Sequence, residues 1–135
     1  PLTKESYELQ FLFIFSRKQK NLKNQFTRML VKGLDLDEET RCRHWHSEKD
    51  IIAIQFACCG EFYACYECHQ ELADHPAEPW PAVAFAKAEA VYCGKCKTRM
   101  TIKAYMESEG QCPNCGATFN PGCEKHWPLY FELEK

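Results

Sequence analysis

Ten cysteines and five histidines crowded between Cys42 and His126, two Cys-x2-Cys knuckles at metal-binding separation, and only short apolar runs together predict a small zinc-stabilised α+β domain. Short strands and helical turns are expected to be organised around three zinc sites, with little hydrophobic core. The 135-residue length fits one such domain.

The elements follow in order. Residues 50–56, Asp-Ile-Ile-Ala-Ile-Gln-Phe, are β-branched and apolar and predict a strand. Residues 66–74 read as one or two helical turns stopped by Pro76. Residues 78–81 form a loop, because Pro79 and Pro81 lack backbone donors and bias their predecessors away from helix. Residues 88–92 predict a second strand. Residues 101–107 predict a short helix with Thr101 as its cap and Gly110 beyond its end. Residues 129–133 predict a closing edge strand.

The chain divides by charge. Residues 1–28 carry six basic and two acidic side chains and no Cys or His, whereas the remainder carries a net −6. Met29 is read as the native start, with residues 1–28 an added or upstream extension and residues 29–135 the metal-binding domain. The competing reading is a basic amphipathic arm with Leu9, Phe13, Leu22, Phe26 and Met29 on one face. The apolar run at residues 11–15 is too short to span a bilayer, which needs about 18 residues. It also lacks the order of a secretory signal, since Ser16, Arg17 and Lys18 follow it. An oxidising destination is therefore unsupported, and the cysteines point to metal rather than to disulfides.

The strongest motif is Cys93-Gly94-Lys95-Cys96 with Cys112-Pro113-Asn114-Cys115, a pattern for a tetrahedral four-thiolate site. A thioredoxin-like reading of Cys93 and Cys96 needs a βαβ context that the sequence does not offer. Upstream stand Cys42, His44, Cys58, Cys59, Cys65, Cys68, His69 and His75, enough for two more tetrahedral sites. Cys68 and His69 are neighbours, and Cys65 with Cys68 already makes a knuckle, so His69 is free for another ion. An interleaved arrangement follows, with Cys42, His44, Cys65 and Cys68 around one zinc and Cys58, Cys59, His69 and His75 around a second. Adjacent side chains on a regular strand face opposite ways, so the alternative is that Cys58 and Cys59 divide between the two ions. His46, Cys123 and His126 remain. Their bland reading is a surface imidazole and a packed C-terminal turn. Otherwise Cys123-x2-His126 replaces a member of the first site, or all three residues hold a fourth, open zinc.

These residues resemble the CHY-type zinc finger family. The likeness is carried by Thr40-Arg41-Cys42-Arg43-His44-Trp45-His46, by Cys58-Cys59, by Cys65-Tyr66-Glu67-Cys68-His69, by Asp74-His75, by Trp80-Pro81, by both later knuckles and by Phe119-Asn120-Pro121-Gly122-Cys123. Trp45 stands where the family's name-giving tyrosine usually sits. The resemblance implies three structural zinc ions on the twelve residues assigned above. It is strongest to small stand-alone bacterial and fungal members, which implies zinc-linked support of a protein thiol-oxidation pathway and, as an alternative to a default cytoplasmic location, the mitochondrial intermembrane space. A further branch couples the module to RING ubiquitin ligases, and no RING ligand set accompanies it here.

The functional expectation is a non-enzymatic zinc-binding module that mediates protein interaction, the alternative being zinc or thiol handling. Nine thiolates on three Zn²⁺ add a net −3 to an already acidic domain, which opposes binding to phosphate backbones. The basic run Lys95, Lys97 and Arg99 is read as a solvated face or as an offset to the four-thiolate site. No catalytic residue is assigned, and no membrane partner is expected.

Overall fold

The computed structural model describes residues 30–133, so the expectations for residues 1–28 lie outside the described residues. The described chain is an α+β unit on a five-stranded sheet. The strands are β1 (Val31–Lys32), β2 (Ile52–Gln55), β3 (Phe62–Tyr63), β4 (Val91–Cys93) and β5 (Thr98–Met100), arranged in the order β1-β3-β2-β4-β5. Only the β1–β3 pair is parallel; β2 pairs antiparallel with β3 and β4, and β4 with β5.

The sheet is covered on both faces because its central strands alternate apolar side chains in both directions. Ala53 and Tyr92 face one cluster with Val31, Phe56 and Phe62. Ile54, Val91 and Cys93 face another with Ile102, Tyr105, Phe119 and Phe131. Each cluster is small, and cysteines belong to both: Cys42, Cys65 and Cys68 to one, Cys93 and Cys112 to the other. Metal-ligand side chains thus stand where a larger domain would place aliphatic ones.

Short helices decorate this sheet, among them α1 (Tyr66–Leu72), α2 (Ile102–Met106) and α3 (Trp127–Tyr130). The Cys65 side chain caps α1 by accepting from the Cys68 amide, and the helix ends where the Ala73 amide reaches the His69 carbonyl. Thr101 caps α2 as expected, its hydroxyl accepting from the Ala104 amide at 3.0 Å.

Two expectations need correction. The strand expected at residues 88–92 begins only at Val91 and continues to Cys93. Residues before it still follow a helical turn from Ala84, whose carbonyl accepts from the amides of Lys87 and Ala88. The closing strand at residues 129–133 is instead α3 followed by a single bridge between Phe131 and Trp80. Pro128 in the first turn sets a helical φ, and the preceding 3₁₀ segment Pro121–His126 feeds directly into it. Phe131 is nonetheless fully buried, and amides of Trp80 and Glu132 bond across that bridge at 2.8 Å.

Gly94, inside the first late knuckle, lies against the Glu39 backbone, where a Cβ would overlap the carbonyl group. Lys97 reinforces the approach by donating to the Glu38 carbonyl. The Gly94→Ala variant is expected to lose about 2–3 kcal/mol in denaturant melts of the metal-loaded protein, since backbone cannot yield as a flexible side chain can. A loss below about 0.5 kcal/mol would mean that the loop and the knuckle are not in contact.

Candidate metal centres

The first cluster is built from a loop and a helix. Cys42 and His44 lie between β1 and β2, while Cys65 and Cys68 occupy the cap and first turn of α1. His44 Nδ1 is 3.8 Å from Cys42 Sγ, 3.4 Å from Cys65 Sγ and 3.5 Å from Cys68 Sγ. The Cys42 and Cys65 sulfurs are 3.5 Å apart. The Arg41 guanidinium holds the loop that delivers Cys42 and His44, donating to the carbonyls of Ser47 and Glu48 and pairing with Asp37 and Glu39.

The second cluster joins Cys58 and Cys59 to His69 and His75. Cys58 Sγ and His75 Nε2 each lie 3.3 Å from His69 Nε2, and the two sulfurs are 3.9 Å apart. Both cysteines sit past the end of β2, in the turn that leads to β3. The strand alternation that argued for dividing them therefore does not apply, and the turn lets both converge. Gly60 enables that turn with a φ of 72°.

The third cluster faces the β4–β5 hairpin toward the turn after α2. Cys93 Sγ is 3.9 Å from Cys115 Sγ, and Cys96 Sγ is 3.7 Å from Cys112 Sγ. Lys97 at φ 60° and Gly116 at φ 78° let each knuckle reverse immediately after its second cysteine. Amides of Asn114 and Cys115 donate to Cys112 Sγ at 3.4 and 3.5 Å.

In each cluster the four ligand atoms all lie within 4.8 Å of one another. A tetrahedral ion with bonds of about 2.3 Å to sulfur separates its ligands by about 3.7 Å, so the donor type and the spacing both fit zinc. The thiols also show how tightly they are gathered. Hydrogen bonding with Cys65 and Cys68 holds Cys42 far below the ordinary thiol range. The same bond with Cys42 pushes Cys65 far above that range. Burial alone would raise Cys96, but hydrogen bonds from Thr98, Asn114 and neighbouring cysteines outweigh it and bring the thiol down to about 6. Burial keeps His69 below the ordinary histidine range, which favours the neutral imidazole that ligates metal.

Supporting residues were largely hidden in the sequence. Glu71 Oε1 lies 3.2 Å from His44 Nε2, a pairing across 27 residues with no local signature. Asp74 Oδ1 lies 2.9 Å from His75 Nδ1, and here the adjacency was visible in the sequence. Asn120 donates to Asp50 Oδ1 at 2.8 Å and accepts from the Gly122 amide, tying the Phe119-Asn120-Pro121-Gly122-Cys123 segment to the start of the strand region.

The three leftover ligand-type residues do not form a fourth group among the described residues. His126 packs its ring 5.2 Å from Trp45, whose indole N–H donates to Glu67. Burial pushes the Cys123 thiol up to about 11. Cys123→Ser is expected to leave the bound-metal content of the purified protein unchanged by elemental analysis. Loss of one equivalent of metal would place Cys123 among the ligands.

Comparison with known proteins agrees with this geometry. The CHY zinc finger family model matches residues 42–121. Helper of Tim protein 13 of Saccharomyces cerevisiae is 45% identical over 104 residues, covering 76% of this chain and 90% of that protein. The protein of the same name from Kluyveromyces lactis is 48% identical over 101 residues, covering 75% and 87%. An uncharacterised protein of Schizosaccharomyces pombe is 43% identical over 102 residues, covering 76% and 88%. With its three Cys/His groups in place and a family match spanning more than half its length, this chain belongs to the CHY zinc finger family.

Proposed function

We propose that the protein is a non-enzymatic zinc module in which three Zn²⁺ ions hold a rigid surface for a protein partner. The observation that carries this reading is that each cluster offers four Cys or His donors within 4.8 Å. Four protein ligands complete a tetrahedron, whereas a catalytic zinc keeps a position open for water or substrate. Neither core cluster is large, and a structural zinc contributes an apparent ~10–16 kcal/mol in small peptides against a typical domain stability of ~5–15 kcal/mol. The ions therefore act as framework.

A protein partner is supported by a cavity of about 240 Å³ lined by Trp45, Tyr105, Trp127, Tyr130 and Phe131, with Cys123 in its wall. Aromatic walls with a few polar groups suit an apolar side chain from another protein. Two of the three basic residues of the run, Lys97 and Arg99, are engaged within the domain. Lys97 donates to backbone carbonyls, and Arg99 donates to the Glu89 carbonyl while lying 5.1 Å over the Phe62 ring. No described helix is long and apolar enough to cross a membrane.

The second reading, zinc or thiol handling in support of a protein thiol-oxidation pathway, rests on the likeness to the Helper of Tim proteins, whose length this chain nearly spans. The cytoplasm stays the default location, with the mitochondrial intermembrane space as the alternative that the resemblance implies. Native mass spectrometry is expected to find three zinc ions per chain, and removal by a strong chelator is expected to abolish the cooperative thermal transition seen by circular dichroism. An unchanged melt in the metal-free chain would refute the framework role.

A further inference from the structure

The cavity beside β2 is held open by the rings that line it. The Trp127 indole N–H donates to the Tyr105 hydroxyl at 3.2 Å, the Tyr66 amide donates to the Tyr130 hydroxyl at 2.9 Å, and the Trp45 indole N–H donates to Glu67 at 3.2 Å. Each bond fixes a ring edge, so these rings are not free to swing inward and fill the space. Protein interiors hold few voids larger than a water molecule, and about 240 Å³ between preformed aromatic walls is room for one large side chain.

The walls also carry charge. Burial alone would raise Asp50, but hydrogen bonds from Asn120 at 2.8 Å and Ser47 at 2.9 Å outweigh it and hold this carboxyl below the ordinary range. Those donors leave part of the roughly four-bond capacity of a carboxylate free. The Cys65 sulfur in the wall belongs to a centre that carries −1 when its three thiolates and one histidine hold a divalent cation. Glu67 stands at the edge of Trp45. Against these, Lys125 lines the cavity from an exposed position where water and salt screen it, and His126 packs its ring on Trp45. Residues 29–135 as a whole carry a net −6. The balance favours a cation.

Aromatic walls accept an apolar stem, and the charges decide what the tip of that stem carries. Arginine meets both demands: its methylenes lie along the rings, its planar guanidinium stacks on an aromatic face, and its N–H fork fits a carboxylate. The compact ammonium of lysine is more strongly hydrated and costs more to bring in. On the reading that the domain serves a protein partner, we propose that this cavity docks an arginine side chain of that partner, with the stem against Trp45 and Trp127 and the guanidinium on Asp50.

The three tryptophans supply the readout, since Trp45 and Trp127 line the cavity while Trp80 lies outside its lining, its indole N–H donating to the Gln55 carbonyl. The zinc-loaded full chain is titrated with N-acetyl-arginine amide, and the indole N–H signals are followed by NMR. The Trp45 and Trp127 signals are expected to shift saturably and the Trp80 signal to stay. N-acetyl-norleucine amide, which keeps an apolar stem and drops the charge, is expected to bind at least about fivefold more weakly. Asp50→Asn should weaken the arginine probe by about tenfold. Lys125→Glu, an exposed change that serves even if Asp50→Asn disturbs the fold, should tighten it. Norleucine binding as tight as arginine would overturn the arginine assignment and leave an apolar docking site. Preferred binding of N-acetyl-glutamate amide, through Lys125 and His126, would overturn it as well. If no probe moves the two indoles, the docking cavity falls too, and the zinc content of the same sample shows separately whether the zinc framework stands.

Discussion

Cys68 and His69 are adjacent on one turn of α1, yet the first meets Cys42, His44 and Cys65 while the second meets Cys58, Cys59 and His75. Successive helical residues point about 100° apart, and the fold uses that angle to anchor two clusters on one short helix. The loop after β1, the β2–β3 turn, α1 and the segment beyond it are thereby bound to one another with little apolar surface between them. Crossing the ligand sets matters more than their number. Sequential sites would brace local loops, whereas crossed ones close long loops whose ends would otherwise be free.

The sheet makes this crossing geometrically available. β2 leads into the turn that carries Cys58 and Cys59, β3 leads directly to Cys65, and β4 ends at Cys93. Each centre strand thus delivers a ligand within a few residues of its end. Gly94 allows the third centre to lie against the Glu39 backbone, just upstream of Cys42, so the four-thiolate unit is not an appendage but a neighbour of the first cluster. Asn120 adds a polar link from the far end of the chain to Asp50.

Much of the site was readable in the sequence because metal chemistry is local: knuckle spacing and the Cys68-His69 adjacency constrain which side chains can share an ion. The twelve expected ligands are the same twelve that the structure gathers, in the same three groups. The supporting shell was less readable, since Glu71 reaches His44 only through the placement of α1. The fold class was legible, but the short strands were not. β1, β3 and β5 span two or three residues and exist through pairing rather than pattern. At the C-terminus, Leu129-Tyr130-Phe131 has strand composition, and Pro128 with the 3₁₀ turn before it decides for helix instead.

The crossed assignment is tested most directly by NMR of the cadmium-substituted protein, in which scalar coupling through the metal identifies the residues bound to each ion. The geometry predicts three cadmium resonances. One should correlate with Cys42, His44, Cys65 and Cys68, another with Cys58, Cys59, His69 and His75, and the last with Cys93, Cys96, Cys112 and Cys115. A resonance that correlates with both Cys42 and Cys58, or one that joins Cys68 with His69, would contradict it.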